Sequence, residues 1–141
     1  MTRISVNELD EEYNHAGSLV MMWQGQPFTG IAFQMSPQGT LWCEQAYVEG
    51  TLTGISKEWY LNGQLKSQTE YKWNRIHGRD QEWYAGGQAK SNSSYELGIV
   101  LSEQQWDKQS NLVKDYQLEQ GSAPYTELVR ERAIFQKYGL A

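Results

Sequence analysis

The stretch GISKEWYLNGQLKSQTEY, residues 54–71, reads as one β-hairpin: a strand, a tight turn and a return strand. Twenty-four residues further on, GRDQEWYAGGQAKS, residues 78–91, repeats its Gly, Glu, Trp, Tyr, Gly, Gln, Lys and Ser in the same places. The step of 24 extends both ways: Gly30, Gly54, Gly78 and Ser102 share one phase, Gly39, Gly63, Gly87 and Asn111 a second, Tyr47, Tyr71 and Tyr95 a third. An apolar residue two places before the leading glycine recurs as Phe28, Leu52, Ile76 and Val100. A fixed period of this length marks an array whose units cannot bury their apolar faces alone and whose end units are atypical. The reading is therefore mainly β: an open, twisted antiparallel sheet of repeated hairpins, with a C-terminal α-helix.

Turn chemistry sets the expected register. In Ser36-Pro37-Gln38-Gly39, proline fixes φ for the first central position of a type I turn, and the glycine closes a three-residue loop. Leu61-Asn62-Gly63 and Ala85-Gly86-Gly87 fit the same geometry. Tyr60 then faces Gln64, Trp59 faces Leu65 and Glu58 faces Lys66; Trp83 faces Ala89 and Glu82 faces Lys90. One face would carry Met35, Trp59 and Trp83 with Leu41, Leu65, Ala89 and Val113, and also Tyr47, Tyr71 and Tyr95, as the packed side. The other would carry the Glu and Lys pairs with Tyr60, Tyr84, Trp42 and Trp106.

At 141 residues the chain reads as a single domain. Residues 1–25 form an N-terminal segment and half repeat, 26–118 four hairpin repeats, and 122–139 the helix. Ile4-Ser5-Val6 is a candidate first strand, Asn7 with Asp10 a candidate cap, and residues 18–25 another strand with Trp23 in the tyrosine phase. Ser122 caps the helix, Pro124 sits in its first turn, and apolar residues recur at Tyr125, Leu128, Val129, Ala133 and Phe135 before Gly139. Its expected position is over the packed face or the last sheet edge.

Six Trp and nine Tyr against three Phe favour a thin sheet with wet surfaces. The net charge of -5 argues against a nucleic-acid binder, which needs a basic stripe, and suits a basic protein partner. It also disfavours anionic membranes. One cysteine, Cys43, leaves no internal disulfide, and the longest apolar run, residues 19–23, is too short for a signal peptide or a span. The cytoplasm is the expected compartment.

Catalysis has little to work with. His15 and His77 lie in unrelated phases, His77 standing where Thr29 and Thr53 stand in earlier copies. Cys43 occupies the phase of Ser67 and Ser91 and reads as a small packed residue. The recurrent glutamates read as a solvated ladder rather than an acid–base pair, and neither a metal nor a cofactor is expected.

The unit at residues 54–67, repeated with changes at 78–91, resembles the variant MORN repeat. With Pro27-Phe28-Thr29-Gly30, the layout resembles the YwqK-type family of antitoxins, immunity proteins of bacterial polymorphic toxin systems. That resemblance implies a cytoplasmic, non-enzymatic inhibitor that occludes the active site of a cognate toxin domain, often one acting on nucleic acid or nucleotides. The alternative is a MORN-type scaffold or lipid-associated interaction protein. The candidate partner-binding residues are the aromatics Tyr60, Trp73, Tyr84 and Trp106 as anchors, and the acids Glu44, Glu58, Glu70, Asp80, Glu82 and Glu96 as the group that meets a basic partner.

Overall fold

The computed structural model describes residues 1–138. The main sheet is an antiparallel meander of hairpins. Its strands are β5 (Gly30–Met35), β6 (Leu41–Val48), β8 (Gly54–Trp59), β9 (Leu65–Lys72), β10 (Arg75–Trp83), β11 (Ala89–Glu96), β12 (Ile99–Trp106) and β13 (Leu112–Gln117). The short β7 (Thr51–Leu52) extends the pairing of β6, and β1 (Arg3–Ser5) adds the one parallel neighbour, beside β5. A separate small sheet holds β2 (Asp10–Tyr13), β3 (Leu19–Trp23) and β4 (Gln26–Pro27). Between β1 and β2 lies a short turn of 3-10 helix capped by Ser5, with Glu8 returning the bond to the cap backbone; the cap is Ser5 rather than Asn7.

Two turn types alternate. The first is the expected three-residue loop: the Gly63 amide donates to the Tyr60 carbonyl at 2.9 Å, and the Tyr60 amide to the Gln64 carbonyl at 2.9 Å. Gly39 and Gly87 close their loops likewise. In the fourth copy Ser110, with φ 64°, takes the glycine's place and donates to Asp107. That copy is one residue shorter, so the expected equivalence of Asn111 with the turn glycines is wrong.

The second type joins one repeat to the next. The links are tight two-residue hairpins with both central residues at positive φ: Glu49-Gly50, Trp73-Asn74 and Leu97-Gly98. Positive φ at both places is the type I′ requirement, and its twist matches the flanking strands. The second residue of each link donates its amide to the carbonyl of Phe28, Leu52 or Ile76, one repeat earlier. The first donates to a side chain: Glu49 to the Thr29 hydroxyl at 2.9 Å, Trp73 to the Thr53 hydroxyl at 3.2 Å, and Leu97 to Nδ1 of His77 at 3.1 Å. Every link is thus bound to the unit before it.

One register detail overturns the expected faces. Trp59 does pair with Leu65, but Glu58 pairs with Ser67, leaving Lys66 as an extra, bulged residue. Trp42, Lys90 and Val113 are bulged at the same place in the other copies. An extra residue reverses every later side chain. Tyr47, Tyr71 and Tyr95 therefore lie on the face of Glu58 and Glu82, opposite Gly30, Gly54 and Gly78, and not on the tryptophan face. Trp106 pairs with Leu112 and belongs to the row of Trp59 and Trp83, the reverse of its expected side. Val113 is exposed.

The tryptophan face is not sealed either: its three tryptophans are only partly buried, and Met35 and Leu112 are exposed. The buried cluster instead joins Ile4, Phe28, Ala32 and Tyr47, with Met21, Trp23 and Leu52 packed against it. Here the small sheet covers the first tyrosine. Phe28 meets Trp23 edge-on and Tyr47 tilted, each at 6.0 Å between ring centres.

The helix α1 (Ala123–Lys137) starts as expected, its Ser122 hydroxyl accepting the Tyr125 amide. Leu128 is fully buried, whereas Val129 and Ala133 face solvent. The helix docks on the links: Phe135 stacks on Trp73 at 5.4 Å, Glu131 receives Arg75 and Arg132 grips Glu96. Strand β13 stays largely exposed, so α1 does not cover the last edge. Gly139, expected to end the helix, lies outside the described residues.

Candidate partner-binding face

Because the pairs run strand to strand in register, side chains on the tyrosine face line up in rows across the sheet. Nearest the three-residue turns, one row reads Cys43, Glu58, Ser67, Glu82, Ser91, Gln105 and Lys114. The next reads Ser56, Thr69, Asp80, Ser93, Glu103 and Tyr116. The third is the alternation of tyrosine with glycine, where a ring can lie over a residue without a side chain. Four carboxylates, Glu58, Asp80, Glu82 and Glu103, thus share one surface with four tyrosines, Tyr47, Tyr71, Tyr95 and Tyr116.

Lysines line its margin without neutralising it. Lys66 approaches Glu58 to 3.9 Å and Lys90 approaches Glu82 to 4.0 Å, loose exposed pairs that contribute little. Lys114 holds Glu103 closely and keeps its carboxyl below the usual range, with burial opposing. Asp80 meets no cation among the described residues; the Thr69 hydroxyl donates to it at 2.8 Å. These acids also act on the neighbouring tyrosines. Burial first, then Asp80 and Glu58, push the Tyr71 hydroxyl above its ordinary pKa, and burial with Asp80 and Glu103 does the same to Tyr95. The surface is electronegative.

Of the ten residues singled out from the sequence, this face gathers Glu58, Asp80 and Glu82. Glu44 lies on the reverse face, opposite Lys57 and paired with Arg3 at 3.2 Å. Glu70 turns its carboxylate to the Arg79 amide at 3.3 Å, inside the irregular pairing of β9 and β10. Glu96 is held by Arg132 through two bonds of 2.6 and 2.8 Å. Trp73 is a link residue under α1, with the Lys72 ammonium 4.5 Å above its ring.

Tyr60 and Tyr84 are committed to the array. The Tyr60 hydroxyl donates to the Trp83 carbonyl and the Tyr84 hydroxyl to the Trp106 carbonyl, both at 2.8 Å. Asn62 adds a bond to the Ala85 carbonyl at 3.0 Å. The repeat's Trp-Tyr-x-Asn signature is therefore a coupling between successive turns. Sequence reasoning missed Tyr71 and Tyr95, which the bulge moves there, while Glu103 reaches this face because the fourth copy is one residue short.

Cys43 lies beside Glu58, and burial followed by that carboxylate raises its thiol pKa, opposite to the activation a nucleophile needs. No group of three or more metal-ligating side chains occurs among the described residues, and no helix among them is long and apolar enough to cross a membrane. Comparison of the chain with family models, curated proteins and solved structures gives no match.

Proposed function

We propose that this chain is a cytoplasmic, non-enzymatic immunity protein that binds a cognate toxin domain and covers its active site with the tyrosine face. The observation supporting this is the convergence of Glu58, Asp80, Glu82 and Glu103 on one surface with Tyr71 and Tyr95. A surface of that sign steers a basic partner, and enzymes that act on nucleic acid or nucleotides present basic grooves. Tyr71 and Tyr95, each partly buried, offer rigid amphipathic contact area beside these acids. The MORN-like repeat supplies the rigidity and the antitoxin resemblance supplies the partner class.

The test is co-expression with the toxin domain encoded immediately beside this gene, followed by co-purification and a growth assay. Formation of a salt-sensitive complex that restores growth is the expected result. A folded chain that neither binds nor protects would refute the reading.

A further inference from the structure

A cavity of about 500 Å³ lies between α1 and the links at Trp73 and Leu97. Tyr95 and Gly78 of the tyrosine face also line it, but none of that face's four carboxylates does. We propose that it is a binding site for a small amphipathic anion: a flat apolar body carrying a single carboxylate or sulfonate. The apolar part of the wall comes from Trp73 stacked on Phe135, with Leu97 and Leu101 from the sheet side. Its volume falls in the range of sites for small organic ligands.

The head group follows from the charged and imidazole groups of the polar wall, which are Lys72, His77, Glu96 and Arg132. The acid there, Glu96, is gripped by both Nε and a terminal nitrogen of Arg132. His77 uses Nδ1 to accept the Leu97 amide, so the neutral ring carries its proton on Nε2. The Lys72 ammonium lies over Trp73 with no carboxylate within ion-pair distance among the described residues. An ammonium and an imidazole N–H at an apolar wall are complementary to an anion. The carboxylates of the face and the donors of the cavity are thus carried by different residues, with Tyr95 common to both walls.

The test is a fluorescence titration of the intact protein with anilinonaphthalene sulfonate and with the neutral N-phenylnaphthylamine, which has the same ring body without the charge. One sulfonate per chain is expected, bound at least about tenfold more tightly than the neutral probe. Lys72→Gln should weaken the sulfonate by about tenfold and leave the neutral probe unchanged. Leu101→Trp, which fills the cavity while keeping the helix contacts, should block both, with an unchanged circular dichroism spectrum as the control. Equal affinity for the two probes, indifference to Lys72→Gln, or full binding by folded Leu101→Trp would each overturn the site.

Discussion

At the third link an imidazole does the work that a threonine hydroxyl does at the first two. Thr29, Thr53 and His77 each accept the amide that opens the following link, and Leu97, the donor to His77, is buried. Removing that acceptor leaves a shielded N–H unpaired, which costs about 1–3 kcal/mol. His77→Ala should therefore lower stability by that amount, whereas His77→Thr should restore the acceptor and stay within about 0.5 kcal/mol of the parent. Urea unfolding of the two variants checks this; equal losses would show that the ring's bulk, not its lone pair, is what matters. Glycines of the repeat divide in the same way. A Cβ at Gly63, φ 86°, meets open space, so Gly63→Ala carries only the left-handed penalty of about 1–2 kcal/mol. At Gly30 a Cβ would land on the Thr2 carbonyl and the Phe28 ring, forcing β1 from its parallel pairing. Gly30→Ala should cost clearly more, about 3 kcal/mol or above, in the same measurement.

Among the elements, α1 is held to the sheet by few groups, and Arg132 with Glu96 is the most directional. The hydrogen bonds from Arg132 depress the Glu96 carboxyl pKa, with partial burial opposing. A depressed carboxyl contributes stability above its unfolded pKa, and that contribution is lost as pH falls through the folded value. Arg132→Gln should thus lower the melting temperature by no more than a few degrees near neutrality, Arg132 being exposed and Glu96 only partly buried. The difference should close on acidification below the ordinary glutamate range, and thermal scans across that range check it. A gap independent of pH would assign the effect to packing. The hairpins and the helix start were legible because glycine, proline and the serine cap fix backbone angles locally. The bulges at Lys66 and Lys90 were not, since an extra residue leaves composition untouched and announces itself only by reversing later side chains. The same limit hid the short fourth copy, where Ser110 adopts positive φ without a glycine to mark it. The link hairpins were not legible, because Trp73-Asn74 and Leu97-Gly98 lack the usual Asn-Gly signal.

Across the whole molecule, the array is a single layer whose two faces differ in charge pattern more than in burial. The tyrosine face gathers four carboxylates, while the reverse face carries a central row of amides, Gln68, Gln81, Asn92 and Gln104, beside the tryptophans. If the tyrosine face meets a basic partner, reversing its charge must act on association and not on folding. Glu58 and Glu82 are exposed enough, and their lysine pairs loose enough, that Glu58→Lys with Glu82→Lys should leave thermal unfolding nearly unchanged. The same double change should slow association with the partner by about a hundredfold at low salt, the difference shrinking as added salt screens the charges. Glu44→Lys with Asp115→Lys, where Asp115 pairs with Gln104 of the amide row, makes an equal change in net charge on the reverse face and is the control. Stopped-flow or surface-based association rates for the two double variants then separate a local field from a general one: only the first pair should slow binding steeply. Equal slowing by both would mean that net charge alone does the steering, and that the rows of the tyrosine face carry no special role.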